Sequence, residues 1–238
     1  VTRLMAEGLK LIFCFDGTPP ALKLYEKEQR EHKKRIAEKK LKQAMEEEDT
    51  ESILKYSKQT IRLNEKIVSE SKELLKALGI PVIQCPSEAE AQCSFITEQG
   101  DAYAVVTQDA DALLFGAPRL IRNLTISQTK KLYSGATIKN KPELIDLKET
   151  LKKLDINQDK LIVLGMLIGT DYNVGGVPRV GPKTALKLVH QYKDFDTLFK
   201  EVKADFNWKQ VYATFKSMPI MKNYQLKWSQ VNEEKIKE

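Results

Sequence analysis

From Ala21 to Leu78 the chain carries neither glycine nor proline. A segment with no helix breaker, rich in Lys, Glu, Gln, Arg, Leu and Ala, is committed to helix. Its first part, KEQREHKKRIAEKKLK, is densely charged, and apolar residues between Tyr25 and Leu41 are sparse. Such a helix buries little, and by itself it reads as a solvated helix or helical hairpin. The acidic cluster Glu46-Glu47-Glu48-Asp49 with Thr50 marks a break, and Asp49 or Thr50 caps the next helix. Ile61–Leu78 is better patterned and ends at Gly79, a residue suited to a helix C-terminus.

Short apolar runs flank this segment. Leu9–Phe15 ends at Asp16-Gly17 and reads as a buried strand followed by a turn, and Pro19-Pro20 hold off helix until about Ala21. Pro81-Val82-Ile83, Ala102–Thr107 and Leu120–Leu124 have strand length and composition. Helices are predicted from Ser87 to about Thr97, over Pro142–Leu154, over Gln158–Ile168 and, after a Gly/Pro-rich loop at Asn173–Pro182, over Lys183–Gln191. Strands alternating with helices imply an α/β fold with a mostly parallel sheet.

Composition sets limits but decides little. Hydrophobic residues make up 42%, enough for a sizeable core, and a net charge of +6 permits a polyanionic partner without requiring one. Two histidines are too few for a histidine-based metal cluster, and the three cysteines (Cys14, Cys85 and Cys93) lack zinc or disulfide spacing. They read as small apolar residues in a reducing compartment. No stretch resembles a membrane span or a signal peptide, so an intracellular, soluble protein without a membrane partner is expected.

The acidic residues at strand ends carry the chemistry. Asp16 follows the first strand, and Asp109 and Asp111 follow the third, where open α/β sheets place their sites. Two Asp at i and i+2 in an extended segment project to one side and could share a metal. Glu88 and Glu90 have two readings. Ser87 and Glu90 fit a capping box, with Glu88 favouring the helix dipole; alternatively, both project from the first turn toward the strand ends. Asp171 follows the apolar run Leu161–Ile168. Carboxylates without histidine partners suit Mg²⁺ better than zinc. FDGT also resembles the start of a haloacid-dehalogenase phosphatase, but the nucleophile position two residues before the Asp is Cys14, so that chemistry is excluded. Gly181-Pro182-Lys183 opens a helix whose free N–H groups and lysine can hold a phosphate, in the form of a helix-hairpin-helix, or it is an ordinary tight turn.

FCFDGTPPALK, PSEAEAQC, VVTQDADALLFG, LIGTDYN and GVPRVGPKTALKLV occur in this order. Together they resemble the structure-specific 5′-nucleases (XPG/Rad2-like), and the archaeal-type flap endonucleases most closely, from about Leu9 to Phe199. The resemblance implies a PIN-like core at about 1–160 with a helical arch at about 21–78, and a helix-hairpin-helix DNA-binding region at 161–238. It implies Asp16, Glu88 and Glu90 in one metal group and Asp109, Asp111 and Asp171 in a second, holding two Mg²⁺ with Mn²⁺ able to substitute. It implies Lys23 and Arg30 as the cationic catalytic pair, Arg62, Gly181 and Lys183 as DNA contacts, and a monovalent cation at the hairpin. The substrate it implies is DNA with a 5′ flap, cut in replication and repair; 5′ exonuclease, bubble or junction cutting, and a DNA-binding fragment without activity are the alternatives. A sliding clamp is implied as partner of the full-length protein, and the compartment as archaeal cytoplasm or eukaryotic nucleus. The family has a further metal-binding Asp on a strand upstream of the matching region, so the chain reads as lacking its N-terminal segment. Arg179 departs from the family, standing where the hairpin often has its first glycine.

Overall fold

The computed structural model describes residues 1–60, 64–124, 129–131, 137–139 and 141–237. In chain order the elements are α1 (Thr2–Ala6), β1 (Phe13–Phe15), α2 (Lys23–Glu46), α3 (Thr50–Ser57), α4 (Glu65–Ala77), β2 (Val82–Gln84), α5 (Ala89–Glu98), β3 (Val105–Val106), α6 (Asp111–Leu114), β4 (Arg119–Arg122), β5 (Thr129–Lys131), β6 (Thr137–Lys139), β7 (Glu143–Asp146), α7 (Leu147–Leu154), α8 (Gln158–Ile168), α9 (Pro182–Gln191), α10 (Phe195–Glu201), α11 (Trp208–Lys216) and α12 (Glu233–Lys237). They form two units, one of Val1–Phe15, Ala21–Gln84 and Asn223–Glu238, the other of Asp16–Pro20 and Cys85–Lys222. Among the described residues no helix is long and apolar enough to cross a membrane.

In the first unit the breaker-free segment is helical as its composition requires. α2 buries only Ala37 and Ala44, one heptad apart on one face, and packs against α3. The break falls at Glu48, whose φ is +55°, and Asp49 caps α3 by accepting from the N–H groups of Glu51 and Ser52 at 3.1 and 3.2 Å. Asn64 caps α4 through Ile67 N–H at 2.8 Å, and Gly79 follows the helix at φ +75°. β1 and β2 pair in parallel, Phe13 opposite Val82 and Phe15 opposite Gln84. Strand pairing thus begins four residues later than the start of the apolar run at Leu9. Leu75, Leu78 and Ile80 form the core, with Met5, Leu11, Phe13, Phe15 and Val82 packed on it. The segment before α12 crosses this core as a strap. Trp228 donates from its indole N–H to the Leu11 carbonyl at 2.9 Å, and Ser229 N–H donates to Gly79 O at 3.0 Å. A side chain at residue 79 would meet Ser229 O at 2.1 Å, so the strap requires glycine there.

The second unit centres on α8. Leu161, Ile162, Val163, Met166 and Leu167 are buried on several of its faces, as its unbroken apolar run demands. β3 and β4 pair in parallel, Val105 opposite Leu120. The helix expected over Pro142–Leu154 is corrected here: Glu143–Asp146 is a strand, antiparallel to β4 with Ile145 opposite Leu120, and helix begins only at Leu147. Leu144-Ile145 are adjacent and lack helical spacing, so they gain more from the ladder. Asp146 marks the helix start by accepting from Glu149 N–H at 2.9 Å. The β3-β4-β7 sheet is therefore parallel at one pairing and antiparallel at its edge, and β5 and β6 form a separate antiparallel pair. α9 begins at Pro182 with Gly181 as its cap residue, as the loop chemistry predicts.

Candidate metal centre

The centre is built in the second unit, where the chain returns on itself twice. Gly17 N–H donates to Ser87 O at 2.7 Å, Thr18 N–H to Pro86 O at 3.2 Å, and Ser87 Oγ to Thr18 O at 2.9 Å. The approach is close enough that a Cβ at residue 17 would lie 2.1 Å from the Cys85 carbonyl oxygen, so only glycine fits. This turn delivers Asp16 to the start of α5, where its Oδ1 accepts from Ala89 N–H at 2.7 Å. The capping-box reading of Ser87 and Glu90 is not what forms: the cap residue is Glu88, without a side-chain cap bond of its own, and the capping carboxylate is Asp16. Two glutamates on a helix's first turn face this third acid. One carboxylate oxygen from each of Asp16, Glu88 and Glu90 lies within 4.8 Å of the others. Asp16 is exposed, Glu90 half-buried and Glu88 only 5% exposed.

Asp111 and Asp171 bear on the neighbouring Tyr172. Burial, then the fields of Glu88, Asp111, Asp171 and Glu90 in that order, push the Tyr172 hydroxyl far above its ordinary range. The Tyr172 ring is thus within electrostatic reach of all four carboxylates. Asp109 and Asp111 are not in an extended segment, which corrects the sequence expectation. Asp109 is exposed and its Oδ1 accepts from Asp111 N–H at 3.0 Å, making a turn from which α6 starts at Asp111. The short polar side chain competes with strand pairing here, as Asp does in turns.

Several supporting residues escaped the sequence reading. Thr170 Oγ1 donates to Asn173 Oδ1 at 2.7 Å, and Asn173 Nδ2 donates to Met166 O at 2.6 Å, all buried, so the loop holding Asp171 is fixed to the end of α8. Ser94 Oγ lies 2.6 Å from Glu90 O and 3.1 Å from Ala112 O, linking α5 to α6. Ser94 is a small polar residue among apolar neighbours, and Thr170 and Asn173 look like ordinary turn residues, so neither pattern singles them out.

Lys23 opens α2, half-buried, and Arg30 is exposed one heptad later on the same helix and pairs with Glu26. Both belong to the first unit. Arg62 lies outside the described residues. Gly181 and Lys183 are exposed at the start of α9. Arg179 has φ +66°, the left-handed conformation that explains why glycine suits the position. Cys85 is buried, and Cys14 and Cys93 are half-buried.

A PIN-like α/β core that gathers carboxylates beyond its strand ends defines the class of structure-specific nucleases. The XPG I-region family matches residues 79–171, the stretch holding Glu88, Glu90, Asp109, Asp111 and Asp171. The catalytic core of Rad2 in complex with DNA substrate shares the fold, with a TM-score of 0.70 at 21% identity over 98% of this chain and 74% of that one. Flap endonuclease-1 from Methanococcus jannaschii superposes with a TM-score of 0.71 at 39% identity, covering 98% of this chain and 70% of that one. Flap endonuclease 1 of Hyperthermus butylicus is 41% identical over 237 residues, 98% of this chain and 68% of the relative. The chain belongs to the flap endonuclease 1 family.

Proposed function

We propose that the chain is the nuclease part of a structure-specific endonuclease that hydrolyses DNA bearing a 5′ flap, in replication and repair. The observation that carries this reading is the meeting of Asp16, Glu88 and Glu90, with carboxylate oxygens within 4.8 Å of one another, in a member of this family. The donors are all carboxylate oxygens, which fit a hard divalent cation, Mg²⁺ with Mn²⁺ as substitute. Asp16, Glu88 and Glu90 would hold one ion and Asp109, Asp111 and Asp171 a second. When bound, the pair supplies a water of lowered pKa and neutralises charge on the leaving 3′ oxygen.

The protein's own groups supply the rest. Lys23 and Arg30 bring positive charge to the scissile phosphate, where charge develops in the transition state. Gly181 and Lys183, with Arg62, hold the sugar-phosphate backbone without reading bases. Substrate choice then comes from the shape of a bent junction and a threaded single strand. A sliding clamp is the partner proposed for the longer protein. The test is cleavage of labelled flap, nicked and single-stranded DNA with and without Mg²⁺. Cutting near the flap junction that requires Mg²⁺ supports the reading, and intact flap under Mg²⁺ overturns it.

A further inference from the structure

The residues Phe215–Met221 carry no acidic group, yet they touch α5, the residue that follows α6 and the residue beside Asp171. Phe215, 5% exposed at the end of α11, packs its ring against Phe115 at 5.1 Å between centroids and edge-on against Tyr172 at 5.0 Å. Phe115 directly follows α6, the helix that begins at Asp111, and Tyr172 is the neighbour of Asp171. Met218 is buried three residues later. Met221 then meets α5: Gln92 donates from Nε2 to Met221 O at 2.9 Å, and Met221 N–H donates to Gln92 Oε1 at 2.6 Å.

Gln92 is fully buried, and both ends of its amide are used by one backbone residue. An amide so placed is satisfied only if α5 and residue 221 keep their distance and register, because a buried polar group left unmade is costly. Gln92 lies one turn beyond Glu88 on α5. One segment therefore contacts the elements bearing Glu88 and Glu90, Asp111, and Asp171 without supplying a ligand itself.

We propose that Phe215–Met221 is a keystone for the metal centre, with Gln92 and Phe215 as positioning residues that set the spacing of its carboxylates. The proposal rests on the metal-site reading above. Outer partners that orient metal ligands typically contribute about 10- to 100-fold in metal affinity, and a segment that registers the ligand-bearing elements falls in that range.

The test measures Mn²⁺ binding by the electron paramagnetic resonance of free Mn²⁺, on the full chain and without DNA. The variants are Gln92→Leu, Gln92→Glu (which keeps the acceptor for Met221 N–H) and Phe215→Leu. Leu198→Ala, at a residue buried on α10, serves as a control for general loss of packing. Gln92→Leu and Phe215→Leu should bind Mn²⁺ about 10- to 100-fold more weakly at temperatures where all variants are folded, with Gln92→Glu intermediate and Leu198→Ala like the wild type. In cleavage assays the same two variants should lose kcat and need more metal, with KM for DNA unchanged. Wild-type Mn²⁺ affinity in both Gln92→Leu and Phe215→Leu, or an equal loss in Leu198→Ala, would overturn the keystone. A wild-type chain that binds no Mn²⁺ would overturn the metal-site reading instead.

Discussion

Replacing Gly17 with alanine tests the centre without touching a charged group. The added Cβ would stand 2.1 Å from Cys85 O and 2.6 Å from the carbonyl carbon and oxygen of Pro86. All three atoms are backbone, so no rotamer change relieves the contact. Real Cβ contacts essentially never fall under 3.0 Å, so the two chain segments must part by about 0.9 Å. That movement disrupts the Gly17 N–H bond to Ser87 and carries off Asp16, which is covalently adjacent and held 2.7 Å from Ala89 N–H. Metal–ligand distances tolerate about 0.2 Å, and a misplacement of about 1 Å at an active site costs on the order of 100-fold in rate. Overpacking adds a stability loss of roughly 1–3 kcal/mol. Single-turnover cleavage of a labelled 5′ flap across a Mg²⁺ titration, with a thermal melt alongside, reads both effects. Gly100→Ala is the control: φ is +83° but nothing lies within 4 Å of the new atom, so a modest stability loss with unchanged cleavage is expected. A Gly17→Ala protein that cuts at the wild-type rate and melts at the wild-type temperature would refute the argument.

Other substitutions probe separate claims. Asp109→Asn should abolish flap cleavage while circular dichroism and DNA binding stay near wild type, and normal cutting would remove Asp109 from the metal assignment. Lys23→Ala should slow single-turnover cleavage by orders of magnitude with a smaller loss in DNA affinity, measured by fluorescence anisotropy. Arg179→Gly relieves a left-handed backbone at φ +66°, and should raise stability by up to about 1 kcal/mol in denaturant melts, since the relief is partly offset by the greater freedom of unfolded glycine. The hydrogen bond from Tyr212, opposed by desolvation and aided by Lys216, holds the Asp159 carboxyl below its ordinary 3.8. A depressed folded value means stabilisation is complete above 3.8 and fades as pH falls through that lower value. Asp159→Asn should therefore lower the melting temperature at neutral pH, by the equivalent of less than about 1 kcal/mol for so exposed a pair. The difference should narrow as pH falls below 3.8 through the lowered folded value.

Much of the helical architecture was legible because its signals are local. The absence of glycine and proline from Ala21 to Leu78, the cap at Asp49 and the proline at the start of α9 depend only on neighbouring residues. β7 was not legible, because Glu143–Asp146 becomes a strand only by pairing with β4, more than twenty residues earlier. At the centre, spacing placed Asp16 and the Asp109-Ala110-Asp111 turn near strand ends. The role of Asp16 as the cap of α5 depends on a turn that brings residue 17 beside residue 85. Likewise, nothing local in PSEAEAQC separates Gln92, whose partner is Met221, from any other polar helix residue.

The strap across the first unit also sets an order of assembly. Trp228 reaches back 217 residues to the Leu11 carbonyl, and Ser229 and Asn232 bond Gly79 and Ala77. On a growing chain those closing contacts form only once Trp228 to Asn232 have been made, and so wide a loop is slow to close. The unit ending at Lys222 has all its residues before then. The unit bearing the carboxylates can thus close without the strap, whereas the unit bearing Lys23 and Arg30 needs it.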